Sequence, residues 1–215
     1  MTTDKKELMV IPLNPEELNL PEPPAALSPT DGKKVKETVE NHSVRTPDGK
    51  TGINARGTKI LLKTDDVGAR KFTAEQRDKD KFKSGGEWYI RTPALRKEID
   101  DRIEKPYDAQ KREHLRYSSQ CLEKVRDNQE SERDRSVNEV KIRKGLRTLK
   151  KQKIARDGVT HCERSGEPLS ADAQTHHTIR QADDPDKALD LDNIELLNPE
   201  VHKQHHEEER RAAKC

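Results

Sequence analysis

Aromatic residues make up only 3% of these 215 residues and apolar residues 29%, with a mean hydropathy of −1.19. So little apolar surface excludes one large core running the whole length, and much of the chain is expected to be extended, helical or disordered. No run of about 18 apolar residues occurs, which excludes a membrane-spanning helix, and the N-terminus has no hydrophobic signal segment. The expectation is a cytoplasmic protein with no membrane partner. Cysteine is scarce as well: Cys121, Cys162 and Cys215 are odd in number and widely spaced, which argues against a disulfide framework. Cys162 reads as a small buried hydrophobe, with a lone metal ligand as the alternative. An excess of one charge is also missing, since 43 Lys and Arg face 41 Asp and Glu. Any electrostatic preference must therefore come from where the charges sit.

Residues 1 to about 55 hold seven of the twelve prolines, including Pro21-Glu22-Pro23-Pro24, and few large apolar side chains. That composition predicts a disordered N-terminal segment. Its one apolar run, Leu8-Met9-Val10-Ile11-Pro12-Leu13, suits a docking peptide for a protein partner. Residues 56–92 contain two β-like pieces, Lys59-Ile60-Leu61-Leu62 and Glu87-Trp88-Tyr89-Ile90, able to form a small hairpin with Trp88 as a core anchor. Thr92-Pro93 opens a charged helical region, 93–156. In it Leu95, Ile99 and Ile103 recur at helical spacing before Pro106 interrupts them, and Leu115, Leu122 and Val125 continue the stripe.

The end of that region is a basic arm, 141–156. Eight cations, Lys141, Arg143, Lys144, Arg147, Lys150, Lys151, Lys153 and Arg156, occur there with no acidic residue. Ile142, Leu146, Leu149 and Ile154 fall near helical spacing and leave the cations to fan over the other faces. Such a charge run is either a solvated face or a phosphate-tracking helix, which gives affinity for DNA without sequence information.

Five of the eight histidines gather in the last fifth of the chain. From His177, Asn193 comes 16 residues later, His202 9 after that and His206 4 after that. Asn198-Pro199-Glu200 reads as an N-cap, a proline at the first helical position and an acidic first turn, so a helix is expected from Pro199. His202 and His206 then stand on one face and can converge on one ion, with His205 directed elsewhere unless the pair is His202 and His205. Residues 193–197 have the apolar content of a short strand, and 173–179 would pair with them across a turn-forming Asp183-Asp184-Pro185-Asp186. Alternation along that first strand separates the adjacent His176 and His177, one toward the helix and one away from it.

This layout resembles the HNH, or ββα-metal, endonuclease motif, and its spacing is most similar to the DNase domains of nuclease colicins and S-type pyocins. The shared signature is His176-His177, a loop, Asp190-x-Asp192-Asn193-Ile194 and His202-x-x-x-His206, over roughly residues 162 to 206. The resemblance implies His176, His202 and His206 as ligands of one divalent ion, His177 as the general base for the attacking water, and Asn193 as the residue that holds the loop and the base. Gln174 stands where the colicin domains carry Glu, and only Cys162 remains of the Cys-x-x-Cys found at this point in many phage and bacterial HNH proteins.

The expected architecture is thus α+β: a disordered segment 1–55, a small β-like segment 56–92, the helical region 93–156 and an HNH nuclease domain 157–215. The expected function is metal-dependent DNA cleavage, of phage or mobile-element type and acting inside the cell. Mg2+ is the expected working ion, although three imidazoles favour Zn2+, Ni2+ or Co2+ in binding strength. Two alternatives stand beside it: a bacteriocin-type DNase with an immunity protein as partner, and a non-catalytic, zinc-stabilised DNA-binding or adaptor protein.

Overall fold

In the computed structural model, residues 8–105 and 107–212 are described. The chain is mixed α/β and divides into two units, Met1–Asn138 and Glu139–Cys215. The first unit begins with β1 (Ile11–Pro12) and then α1 (Pro29–His42). Ser28 starts α1 by accepting the Asp31 amide at 3.2 Å, and Pro29 occupies a first-turn position where its missing N–H costs nothing. There follow β2 (Ser43–Arg45), β3 (Thr51–Asn54), α2 (Thr58–Leu61), α3 (Asp66–Glu75), β4 (Lys81–Ser84), β5 (Glu87–Arg91), α4 (Thr92–Ile103) and α5 (Ala109–Arg126). The strands form one antiparallel sheet in the order β1-β2-β3-β5-β4, with Ile53 opposite Ile90. One apolar cluster joins them to the helices through Val35 and Val39 of α1, Leu95 and Ile99 of α4, and Leu115, Leu122 and Val125 of α5. The helical region thus follows the periodicity expected of it. Pro106 lies outside the described residues.

Three expectations for this unit need correction. Residues 8–55 are not disordered: they supply β1, α1, β2 and β3, while residues 1–7 lie outside the described residues. Their few apolar side chains nearly all point inward, including Leu13, Leu18, Leu27, Val35, Val39 and Ile53. The prolines act as packing surfaces. Buried Tyr117 donates its hydroxyl to the Pro21 carbonyl at 2.8 Å, and a Cβ on Gly32 would come within 2.5 Å of Pro23 Cβ, so only glycine lets α1 approach the proline run. Of the supposed docking run, Ile11 and Pro12 are in the sheet and Leu13 is buried, leaving Leu8 and Met9 exposed. The second correction is Lys59-Ile60-Leu61-Leu62, which forms α2 and its C-cap instead of a strand, so β5 pairs with β3 and β4. Four apolar residues in a row carry no periodicity that separates a strand from one buried helical turn. The third is Trp88, which is 44% exposed and anchors no core.

The division between units falls within α6 (Gln129–Leu146), not after residue 156. The second unit continues with α7 (Leu149–Asp157), β6 (Gln174–His177), β7 (Ile194–Leu197) and α8 (Pro199–Ala212). The basic arm is therefore broken, because α6 ends at Leu146 and α7 begins at Leu149. Gly145 weakens the helix there by roughly 1 kcal/mol relative to alanine, and Leu189 packs against the space a side chain would fill. β6 and β7 pair antiparallel as expected, His176 opposite Glu195 and His177 opposite Ile194. Leu149, Ile194 and Leu196 form a small core with partly buried Leu146, Ile154, Leu169, Leu189 and Leu191 around it. Among the described residues no helix is long and apolar enough to cross a membrane.

Candidate metal centre

The site is built on β6, β7 and α8. A knuckle at residues 162–166 precedes β6, closed by the Gly166 amide on the Cys162 carbonyl at 2.9 Å. Cys162 is buried, and its sulfur accepts the Asn198 amide at 3.5 Å, joining the knuckle to the start of α8. Burial alone would raise the thiol, but hydrogen bonds from the Ser165 hydroxyl and from the amides of Ser165, Asn198 and Arg164 more than offset it and bring it down to about 7. No metal-capable cluster among the described residues includes Cys162. α8 begins at Pro199 as the sequence predicts, yet the Asn198 side chain does not cap it. Its oxygen accepts the Ser170 amide at 2.9 Å and its nitrogen donates to the Pro168 carbonyl at 3.2 Å, so Asn198 secures the loop before β6.

Strand alternation buries His176 beneath α8, where its ring meets those of His202, His205 and His206 at centroid distances of 5.4, 4.5 and 5.4 Å. His176, His202 and His206 offer ligand atoms all within 4.8 Å of one another and could hold a metal ion; so could His176, His205 and Glu209. The Nε2 atoms of His202 and His206 are 3.2 Å apart. Two imidazole nitrogens bound tetrahedrally at about 2.0–2.1 Å would be separated by roughly 3.3 Å. Burial, the charges of His205 and Arg164 and then that of His202 push the His176 imidazole down to about 4, so it is neutral and able to ligate at pH 7. Burial and the neighbouring His206 and His205 shift His202 the same way.

Two participants lie outside the ligand set His176, His202 and His206: His205, an alternative partner for His202 in the sequence, and Glu209, which the sequence did not single out. His205 does not turn away from the cluster; it is the α8 ring nearest to His176. Glu209, hidden in the run Glu207-Glu208-Glu209, lies 3.2 Å from Nδ1 of His206 and 3.5 Å from Nε2 of His205. Burial opposes its ionisation, but the His206 hydrogen bond and the charges of His205 and His206 hold it below the usual carboxylate range. A carboxylate only accepts, so His206 carries its proton on Nδ1 and presents a bare Nε2 toward His202. The three-residue step from His206 is the signal that would have singled out Glu209.

His177 faces the other side of β6. Its Nε2 lies 2.9 Å from the carbonyl oxygen of buried Ala188. A carbonyl cannot donate, so Nε2 carries the hydrogen and Nδ1 keeps the lone pair that can accept a proton. Lys187, the residue before Ala188, is held by Asn193, which is buried at the end of the loop. The Asn193 side chain accepts the Ile179 amide at 2.8 Å and donates to the carbonyls of Ile179 and Lys187 at 2.9 and 3.2 Å, clamping both ends of residues 179–187. Asp184 and Asp190 shape the same loop by capping short 3-10 turns.

The basic arm divides into structural and free cations. Lys153 is buried, donating to the Leu191 carbonyl at 3.2 Å and pairing with Asp157 and Glu163 at 2.9 and 3.6 Å. Arg156 pairs with Asp157 and Asp192, and Lys150 donates to the Ala171 carbonyl at 2.8 Å. These three hold α7 to the loops around the site. Arg143 pairs with Glu139 across an exposed helical turn. Lys141, Lys144, Arg147 and Lys151 are exposed and directed into solvent.

No family model, curated protein or solved structure matches the chain.

Proposed function

We propose that the second unit is an HNH-type, ββα-metal endonuclease that hydrolyses DNA phosphodiester bonds with one divalent cation. The observation that carries this reading is the separation of two adjacent histidines. His176 enters the imidazole cluster, while His177 faces away with its tautomer set by a backbone carbonyl. A cluster that served only to hold structural zinc would have no use for a neighbouring imidazole fixed with a bare Nδ1.

The donor set fits a borderline divalent ion. Three imidazoles, one buttressed by Glu209, match Zn2+, Ni2+ or Co2+ in binding strength, and Mg2+ is the ion available in cells. A cation held by His176, His202 and His206 would supply the positive charge that phosphodiester hydrolysis needs. The side chains of the unit do the rest. Nδ1 of His177 takes a proton from the attacking water, and the Ala188 carbonyl keeps the imidazole oriented as that charge develops. Asn193 fixes the loop carrying that carbonyl, and Lys141, Lys144, Arg147 and Lys151 draw in the phosphate backbone.

Incubating the full chain and supercoiled plasmid with Mg2+, Ni2+ or Zn2+ tests the proposal. Cleavage with at least one ion, stopped by EDTA, is expected. A chain that holds zinc tightly yet cuts with none of them is instead a zinc-stabilised DNA-binding or adaptor protein.

A further inference from the structure

A cleft of about 570 Å³ lies in the first unit between α3 and the β4–β5 hairpin, and the catalytic reading makes no use of it. Arg56, Lys59, Arg70, Lys81 and Trp88 line it together with Asp66 and small side chains. α2 ends at Leu61, the backbone turns at Lys63 with φ 44°, and Asp65 caps α3 by accepting the Gly68 amide at 2.7 Å. Helix, tight turn and helix, followed by a strand pair, is an order that DNA-binding domains use to offer one helix to the major groove.

The outer face of α3 suits that role. Ala69 and Phe72 turn into the core, which leaves Val67, Arg70, Lys71 and Ala74 outward at i, i+3, i+4 and i+7. Glu75 closes the stripe at i+8 and pairs with Lys71 at 3.9 Å, an exposed pair that a phosphate can exchange for, and Val67 is 64% exposed. A branched methyl pair and a guanidinium fork match the thymine methyl and the guanine N7 and O6 that duplex DNA presents in its major groove. Beside the helix, Gly85 and Gly86 at φ 55° and 80° make a two-residue turn, and the Leu8 amide donates to the Lys83 carbonyl at 3.3 Å along the strand that leads into it. That hairpin carries Lys83 and the exposed Trp88.

Charge fits the same partner. Between residues 56 and 91 there are ten Lys and Arg against six Asp and Glu. Arg70 and Lys83 have no carboxylate partner among the described residues. Arg56 pairs with Glu87 and Lys59 with Asp66, both exposed pairs that a phosphate can exchange for. Lys81 donates to the Thr73 and Ala74 carbonyls at 3.2 and 2.9 Å, holding the end of α3 to β4 with its ammonium 5.5 Å above the Trp88 ring.

We infer that α3 and the β4–β5 hairpin form a second DNA-binding surface, which reads duplex sequence through Val67 and Arg70 and grips phosphates through the hairpin. It supplies a sequence preference that the basic arm cannot give. The surface does not depend on the nuclease reading, because its test measures binding alone.

The full chain carrying His177→Ala is used to select from a randomised duplex library, and the enriched duplex is then titrated while emission from Trp88, the one tryptophan, is recorded. A shared motif should emerge, and the selected duplex should shift the emission. Arg70→Ala with Lys71→Ala should weaken binding to the motif tenfold or more while leaving the melting temperature unchanged. Lys83→Gln should weaken all duplexes alike and lower the salt slope by about 0.9. Should the double variant fail to fold, Arg70→Gln alone must still lose the motif. No enrichment, an emission unmoved at saturating duplex, a motif that survives the Arg70 changes, or equal affinity for a single strand of the same sequence would each overturn the inference. A wild type that cuts with no metal leaves it standing, since only the nuclease reading then fails.

Discussion

Among the described residues the first unit gathers seventeen buried side chains, from Leu13 to Val125, into one apolar cluster, whereas the second unit's cluster holds three. The second unit is held instead by directional polar links: Asn193 across its loop, Glu163 to the Leu196 amide, Asn198 to residues 168 and 170, and Lys153 to Asp157 and Glu163. Apolar burial is non-directional and fixes a fold without fixing any one atom, while a hydrogen bond fixes a particular carbonyl or ring nitrogen. The unit with the smaller core is therefore the one in which individual atoms are placed, and it is the one that carries the imidazole cluster. A small core that also buries His176 should depend on a bound ion for stability, and the first unit should not.

The largest expected effect separates the two units by their cores. Leu122→Ala, at a fully buried position of α5, should cost about 2–5 kcal/mol and lower only the first unit's transition in calorimetry. A matching loss in metal affinity would break the comparison.

Chelation should act the other way, lowering only the second transition. The loss should be about 2.7 kcal/mol relative to ion at a hundred times its Kd. In the chelated chain that transition should also depend on pH. His176 titrates at about 4 when folded and 6.5 in the reference state, so the unfolded chain binds more protons between those values. Stability should fall as pH drops from 6.5 to about 4 and level off below, as a pH series of melts will show. A flat profile would mean that His176 is not buried as described.

Asn193→Ala should follow, since it strands the Ile179 amide and two carbonyls. A loss of about 1–3 kcal/mol is expected, with faster amide exchange across residues 178–188 and slower cleavage at unchanged metal affinity. Glu209→Gln should have the smallest effect on stability. It should weaken metal binding about 10–100-fold by calorimetry, because His206 loses the carboxylate that sets its tautomer. Unchanged affinity would leave Glu209 a bystander.

The second unit was legible where its signals are local. Pro199 and the Asp-rich turn mark the ends of α8 and the loop, and period-two alternation alone puts His176 and His177 on opposite faces. The choice between His205 and His206 stayed open because helical spacing ranks positions along α8 but cannot say where β6 crosses it; the crossing brings His176 closest to His205. Lys153 looked like one cation of a solvated run because its partners Glu163 and Leu191 are distant in sequence. The first unit was legible in α4, α5 and the strand β5. Its proline-rich start folds through contacts such as Tyr117 to Pro21, which span the unit and leave no trace in composition.

The central claim is that one strand separates ligand from base, and parallel measurement of metal binding and plasmid cleavage for His176→Ala and His177→Ala tests it most directly. For His177→Ala the account predicts metal affinity near that of the wild type, with cleavage reduced about 10²–10⁴-fold. For His176→Ala it predicts loss of metal binding, and of cleavage as a consequence. Metal binding lost in His177→Ala, or metal binding and cleavage both retained in His176→Ala, would contradict it.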